Sequence, residues 1–259
     1  MTRTVLAALF LLCPPTFAIA QDAVPVGQQD PQAAYDELVK AFNKAISDWQ
    51  TEARAAAEKA RAEGAKQLPA IAMNPPTKEY VAKAQELASQ YEGTDDAVRF
   101  LGFVLKNARN ERNAVKKTIE TLALMHAKSN AIADVLPFLA SGVRMGAKKQ
   151  VLDLLGDVAE NHANSECKAQ ALITRGGLML EMAQNDEERK AAEKDLRSIA
   201  AITKDEALLA QAKDALFEIE NLQVGCKAPD IVGVDVEGAA IKLSDYQGKV
   251  ILLDFWGFW

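Results

Sequence analysis

The feature that most limits what this chain can fold into is a rhythm of helix punctuation. Candidate helix starts fall near Thr77, Thr94, Asn113, Asn130, Lys148, Ser165, Asp186 and Thr203. They recur at intervals of roughly 17–21 residues, so two intervals make a helix hairpin of repeat-protein length. Upstream, Asp30-Pro31 joins an N-cap to a first-turn proline, and Tyr35, Leu38, Val39, Phe42, Ile46 and Trp49 follow at helical spacings. Beyond Trp49 the stretch TEARAAAEKARAEGAKQ keeps strong helix formers but has no large apolar side chain. It is read as a solvated helical extension, with a surface for a partner helix as the second reading.

The apolar stripes return downstream: Val81, Ala84, Leu87, Ala88 and Tyr91; Val115, Ile119, Leu122 and Ala123; Leu208, Leu209, Ala212, Leu216 and Ile219. Helix pairs striped on one face bury little alone, and stacking them gives a continuous core. Residues 30–222 are therefore expected to form a mainly α, helical-repeat (α-solenoid-like) domain. The Trp, Gly, Tyr and Pro positions of the tetratricopeptide repeat are not reproduced. A scaffold of this kind binds partners, but which partner is not written in the residues.

Composition narrows the function classes. Of 259 residues 49% are hydrophobic and 25% charged, the profile of a globular protein. The net charge of -6, with basic residues interleaved among acids, gives phosphate backbones no electrostatic footprint, which argues against a nucleic-acid partner. At the N-terminus Arg3, the apolar run Val5 to Leu12 and Ala18-Ile19-Ala20 fit a signal peptide over residues 1–20, with 21–29 as a short linker. Pro14-Pro15 interrupt the run too early for a stable membrane anchor, and Cys13 follows Leu12, where a lipoprotein signal wants a small residue. The expectation is export, to the periplasm or outside the cell.

Cleavage would leave Cys167 and Cys226, neither in a Cys-x-x-Cys, as two separate thiols or as one bridge. His126 lies near an apolar stripe and His162 at an expected helix end. With no His-x-x-x-His and no acidic pair at ligand spacing, no metal or other cofactor is expected. The acids of Asp186-Glu187-Glu188 suit the positive end of a helix dipole. Neither Arg175-Gly176-Gly177 nor Met145-Gly146-Ala147-Lys148-Lys149 has the framing glycines of a phosphate loop, and no Ser/His/Asp arrangement is visible.

At Val224 the period changes. Ile231, Val232, Val234 and Val236 precede a turn at Glu237-Gly238, and Ile241 and Leu243 follow it, which predicts a β-hairpin. After a turn at residues 244–248, Val250-Ile251-Leu252-Leu253 reads as a strand apolar on both faces. A second domain is expected over residues 223–259. The ordered set Gly225-x-x-Ala228-Pro229-Asp230, Gly238, Leu243-Ser244-Asp245-Tyr246-x-Gly248-Lys249 and Leu253-Asp254-Phe255-Trp256-Gly257-x-Trp259 resembles the opening of exported thioredoxin-like proteins, the redoxin and thiol-disulfide oxidoreductase group.

That resemblance implies the opening hairpin and first central strand of a thioredoxin-like α/β domain. In the family the Phe-Trp-x-x-Trp strand end is followed at once by Cys-x-x-Cys at a helix start, where the first thiolate attacks a substrate disulfide and the second thiol resolves it. It further implies a protein disulfide or thiol as partner. Asp254 matches a buried aspartate that exchanges a proton with the resolving thiol, although many exported relatives carry another residue there. Trp259 matches the aromatic that flanks the first cysteine. Cys226 matches no catalytic position. The chain stops one residue short of the first expected cysteine, so it is expected to be a fragment, not catalytic as given. A peroxiredoxin-like antioxidant is the alternative within the superfamily, though Phe255 to Trp259 lacks the proline and threonine of a peroxidatic loop. A helical interaction module without catalysis is the alternative from another class.

Overall fold

The computed structural model describes residues 29–67 and 69–257. The expected signal peptide, all but the last residue of the linker, and Trp259 lie outside the described residues. What is described is mainly α: nine α-helices, then a two-stranded antiparallel sheet. No described helix is long and apolar enough to cross a membrane.

Helix α1 (Pro31–Ala62) starts where its sequence says it should. The Asp30 carboxylate accepts the Ala33 N–H at 2.8 Å, and Pro31 occupies the first turn, where its missing N–H leaves nothing unpaired. Its first half lays Ala34 and Leu38 into the core and presents Tyr35 and Phe42 to aromatic partners. Tyr35 meets Phe100 edge-on at 5.6 Å, and Phe42 meets Tyr80 and Phe103 at 5.4 and 5.1 Å. The Trp49 indole N–H donates to the Ile71 carbonyl at 2.7 Å, pinning a short 3-10 turn (Ala70–Ala72) beside the helix. Past Trp49 only Ala53 is buried, and Arg54–Glu58 is a solvent-facing ion pair, as the extension's composition predicts.

Helices α2 (Thr77–Gln90) and α3 (Asp96–Asn107) form the first hairpin, turned at Gly93 with φ +82°. Tyr91 ends α2 and stacks on Phe100 at 5.4 Å while its hydroxyl donates to the Gln29 carbonyl at 2.6 Å. Helix α4 (Arg112–Thr121) then runs into a single π turn (Leu122–His126). The wider turn changes which residues face inward. Ala123, expected on the buried stripe, is exposed, whereas His126 is buried at 2% exposure.

The rhythm breaks next. A full helix from Asn130 is expected, but the chain forms two 3-10 turns (Asn130–Asp134 and Leu136–Leu139) and a short α5 (Ala140–Arg144). Pro137 lacks an N–H and restricts Leu136, so an α-helix cannot run through this stretch unbroken. Regular packing resumes with α6 (Lys148–Asn161), α7 (Ser165–Met182), α8 (Asp186–Ile202) and α9 (Glu206–Asn221). Asn164, Asn185 and Asp205 cap α7, α8 and α9 through their side-chain oxygens. Helix α7 packs on α6, α8 and α9 and on both 3-10 turns. Between α7 and α8, Arg175 and Asp195 form a two-point ion pair at 2.7 and 2.9 Å. Beside it, a Cβ on Gly176 would stand 2.9 Å from Leu196 Cγ and 3.2 Å from the Ala192 carbonyl, so the helices approach as closely as glycine allows.

The hairpin follows: β1 (Val232–Val234) pairs with β2 (Ala240–Lys242), with Gly233 opposite Ile241. Asp235 organises the turn by accepting from the Glu237 and Ala239 N–H groups at 3.0 and 2.8 Å, and Gly238 has φ +84°. The expected strand at Val250 to Leu253 is not formed: residues 250–257 join no ladder among the described residues. A strand exists only through its neighbours, and the hairpin offers this run no pairing.

Candidate functional site

The residues carrying the thioredoxin-like resemblance build a small structure of their own. Asp230 is its clamp: Ser244 donates to it twice, from its backbone N–H to Oδ1 at 2.8 Å and from its hydroxyl to Oδ2 at 2.9 Å. These bonds, the backbone N–H first, hold the Asp230 carboxyl below the usual carboxylate range. Leu243 adds a backbone bond to the Ile231 carbonyl at 2.9 Å. The clamp thus ties the Ala228-Pro229-Asp230 stretch to the 3-10 turn Leu243–Tyr246. Gly248, with φ +83°, then turns the chain, and the Lys249 ammonium lies 5.7 Å from the centre of the Tyr246 ring.

Between this unit and the end of α9 is a trough of about 690 Å³. Its walls include Pro229, Leu243, Ile251 and Leu253, with Lys227 and Lys249 among its polar lining. Alternate residues of the last segment differ: Ile251 and Leu253 are 42% and 48% exposed, while Val250 and Leu252 are 105% and 94% exposed. One side of the run therefore rests toward the trough and the other faces solvent, the period of an extended chain.

Of the two site residues expected from the resemblance, Trp259 lies outside the described residues. Asp254 is exposed and is not among the trough's lining, so the burial implied for it is absent here. A strand unpaired and uncovered cannot desolvate a carboxylate on it. The two cysteines are free, Cys167 buried and Cys226 exposed. Burial pushes the Cys167 thiol up, and its Sγ lies 3.5 Å from the Asn130 carbonyl, the setting of a structural rather than an attacking thiol. No group of three or more His, Cys, Asp or Glu residues among the described residues is placed to hold a metal.

Asp230 and the trough were not singled out from the residues as functional parts. Asp230 and Ser244 stand fourteen positions apart, and their contact shows only in the folded clamp. The arrangement holds an edge of extended apolar chain against a rim bearing two lysines.

No protein-family model matches the chain, and no solved structure matches it. Among curated proteins, it is 45% identical over 40 residues to the thiol-disulfide oxidoreductase ResA of Bacillus thuringiensis subsp. konkukian, and 48% identical over 40 residues to that of Bacillus anthracis. Each match covers 15% of this chain and 23% of the relative. The ResA of Geobacillus thermodenitrificans is 53% identical over 36 residues, 14% of this chain and 21% of the relative. The chain thus spans about a quarter or less of the length of these relatives, and over that short stretch it is similar to thiol-disulfide oxidoreductases.

Proposed function

We propose that residues 223–259 are the opening part of a thioredoxin-like domain of an exported thiol-disulfide oxidoreductase, and that the helices of residues 30–222 form a repeat array that docks a partner or positions the redox part. The observation that carries this reading is the unladdered run: after a formed hairpin and clamp, residues 250–253 present apolar side chains on both faces and join no ladder among the described residues. That is the state of a central strand without its sheet. The local similarity to thiol-disulfide oxidoreductases supports it, its 36–40 residues being close to the length of residues 223–259. In this reading the chain as given does not itself reduce disulfides, a protein thiol or disulfide is the eventual partner, and Asp254 and Trp259 stand beside the redox pair. Export after cleavage of residues 1–20 belongs to the same proposal.

A graft tests it. Residues 223–259 exchanged for the matching segment of the Bacillus anthracis relative should yield a folded protein that catalyses insulin reduction by dithiothreitol at a rate near the parent's. The 259-residue chain alone should not exceed the uncatalysed rate. An unfolded or inactive graft beside an active parent would overturn the domain assignment, and activity in the chain alone would make Cys167 or Cys226 catalytic.

A second reading, a helical interaction module without catalysis, has one observation in its favour. The π turn sets Leu124 and Met125 outward at 85% and 47% exposure, and Leu124 lines a shallow apolar pocket with Glu120, Asp153 and Asp157.

A further inference from the structure

Arginine is placed unevenly in the helical part. Among the described residues Arg54, Arg99, Arg175, Arg189 and Arg197 each pair with a carboxylate. Arg61, Arg109, Arg112 and Arg144 pair with none among the described residues, and the last three line one cavity of about 610 Å³ together with Lys106. Three helices and a turn supply these cations. Lys106 lies in the last turn of α3, Arg109 in the turn that follows, Arg112 at the start of α4 and Arg144 in the last turn of α5. No carboxylate is among the lining, in a chain whose net charge is -6. Glu111, next to Arg112 in the sequence, is half-buried and does not line the cavity. Arg144 joins the others only in the fold, so a sequence with its charges interleaved shows no such patch.

Helix dipoles account for only part of this grouping. Lys106 and Arg144 sit at helix C-termini, where a cation complements the last carbonyls. Arg112 is at the opposite end of its helix. It is the first residue of α4, whose first turn holds no acid and whose N-cap residue, Glu111, makes no side-chain capping bond. A cation there opposes the dipole, and like charges lining one cavity repel. An anion in the cavity reverses both effects, since it offsets the cations and lies at the helix end that attracts negative charge. The donors describe that anion. Each guanidinium offers five N–H groups and the ammonium three, with no acceptor among them. The Ser141 hydroxyl spends its proton on the Phe138 and Leu105 carbonyls, at 2.8 and 3.2 Å. Four cations leave a monoanion far short of neutralising them, and arginine forks match the oxygens of a tetrahedral oxyanion in pairs.

We propose that this cavity binds a phosphate group, its oxygens accepting from Arg109, Arg112, Arg144 and Lys106 and its charge set against the first turn of α4. Leu105, Ala108 and Met145 supply apolar wall for whatever carries the phosphate. All four cations are exposed, so the group is reached directly from solvent and exchanges readily. A free phosphate and a phosphate at the head of a lipid present the same chemistry to these residues. The site is separate from the thioredoxin-like segment and does not depend on that reading.

The test is calorimetric titration of the whole 259-residue chain with inorganic phosphate and with pyrophosphate at constant ionic strength, with acetate as the monoanionic control. Pyrophosphate should saturate one site and bind more tightly than phosphate, and acetate should not bind. Arg112→Ala and Arg144→Ala, at exposed side chains on different helices, should each weaken binding by about two- to fivefold, the span of exposed charge pairs. Arg61→Ala, at the unpaired arginine on the α1 extension, should leave it unchanged. Added pyrophosphate should also raise the thermal midpoint of the parent more than that of Arg112→Ala. Sedimentation with phosphatidylcholine vesicles, with and without phosphatidic acid, separates the two sources. Retention by phosphatidic acid that falls in Arg144→Ala assigns the group to a lipid head, and binding in solution without retention assigns it to a soluble phosphate. Acetate titrating as well as pyrophosphate would overturn the proposal, as would silence in both titration and sedimentation. Arg61→Ala weakening binding as much as Arg144→Ala would overturn it too, because the attraction would then belong to no one cavity.

Discussion

The helices up to Leu222 and the segment after them use apolar residues to opposite ends. The buried core ends at Ala212, and no described residue beyond it is buried. Among the described residues, thirteen of the twenty exposed large apolar side chains lie between Val224 and Trp256. The helical stripes find their complement within residues 30–222, whereas the hairpin satisfies its own backbone and leaves its side chains outside. Local hydrogen bonding is thus enough to shape a β-hairpin, but burial needs a second layer. Stability should therefore reside almost wholly in the helices, and mutations can probe that division.

The largest expected effect is at Phe100. It is fully buried and held between Tyr35 and Tyr91, so Phe100→Ala should lower stability by about 3–5 kcal/mol, from lost burial and a residual cavity. Chemical denaturation followed by circular dichroism at the helix band would measure it. A loss below about 1 kcal/mol would mean that this cluster does not anchor α1 to α2 and α3. Next is Gly176→Ala, which has to displace Leu196 or part α7 from α8 beside the Arg175–Asp195 pair. Overpacking of this kind costs about 1–3 kcal/mol. If the substitution is neutral, the close approach of α7 and α8 is not as tight as it stands.

The third effect depends on pH. Burial lowers the His126 pKa below the ordinary imidazole value, an effect that Asp95 and Glu92 partly counter; Glu86 and Lys117 share its cavity. The unfolded chain then takes up a proton before the folded one does. Stability on this account is complete above about pH 6.5 and is lost as pH falls through the lowered folded value. The midpoint of thermal unfolding should drop between about pH 7 and pH 5, and drop less in His126→Gln. Equal drops would assign the acid sensitivity to other groups.

Much of the helical half was legible because its signals are local. Asp30-Pro31, Asn164-Ser165 and the acids at Asp186 announce caps that depend on three or four neighbouring residues, and the folded chain uses them. Thr203 and Thr94 announced helices a little early: Asp205 caps α9, and α3 begins at Asp96. What could not be read is what depends on distant partners. The stripe Val115, Ile119, Leu122 puts His126 near an apolar face, but the acidic rim beside it comes from Glu86 on α2 and Glu92 in the turn after it. The π turn itself has no sequence signature that separates it from another helical turn. The expected central strand at Val250 to Leu253 failed for the same reason: its apolar pattern is right, but a ladder is a property of two segments.

The smallest expected effect is the sharpest test of the division. A chain ending at Leu222 should unfold in one cooperative, helix-dominated transition whose midpoint differs little from that of the whole chain. Among the interactions found here, those that hold the tail are largely internal: Asp230 with Ser244, Asp235 with its own turn, and β1 with β2. The point variants Val250→Ser and Leu252→Ser, at side chains already exposed at 105% and 94%, should change stability by no more than about 0.5 kcal/mol. They should instead raise solubility, because an unpaired apolar run is an aggregation hazard. Losses of more than about 1 kcal/mol on truncation or in either variant would mean that the tail packs on the helices in solution, and that stability is shared across the two halves rather than confined to the helices.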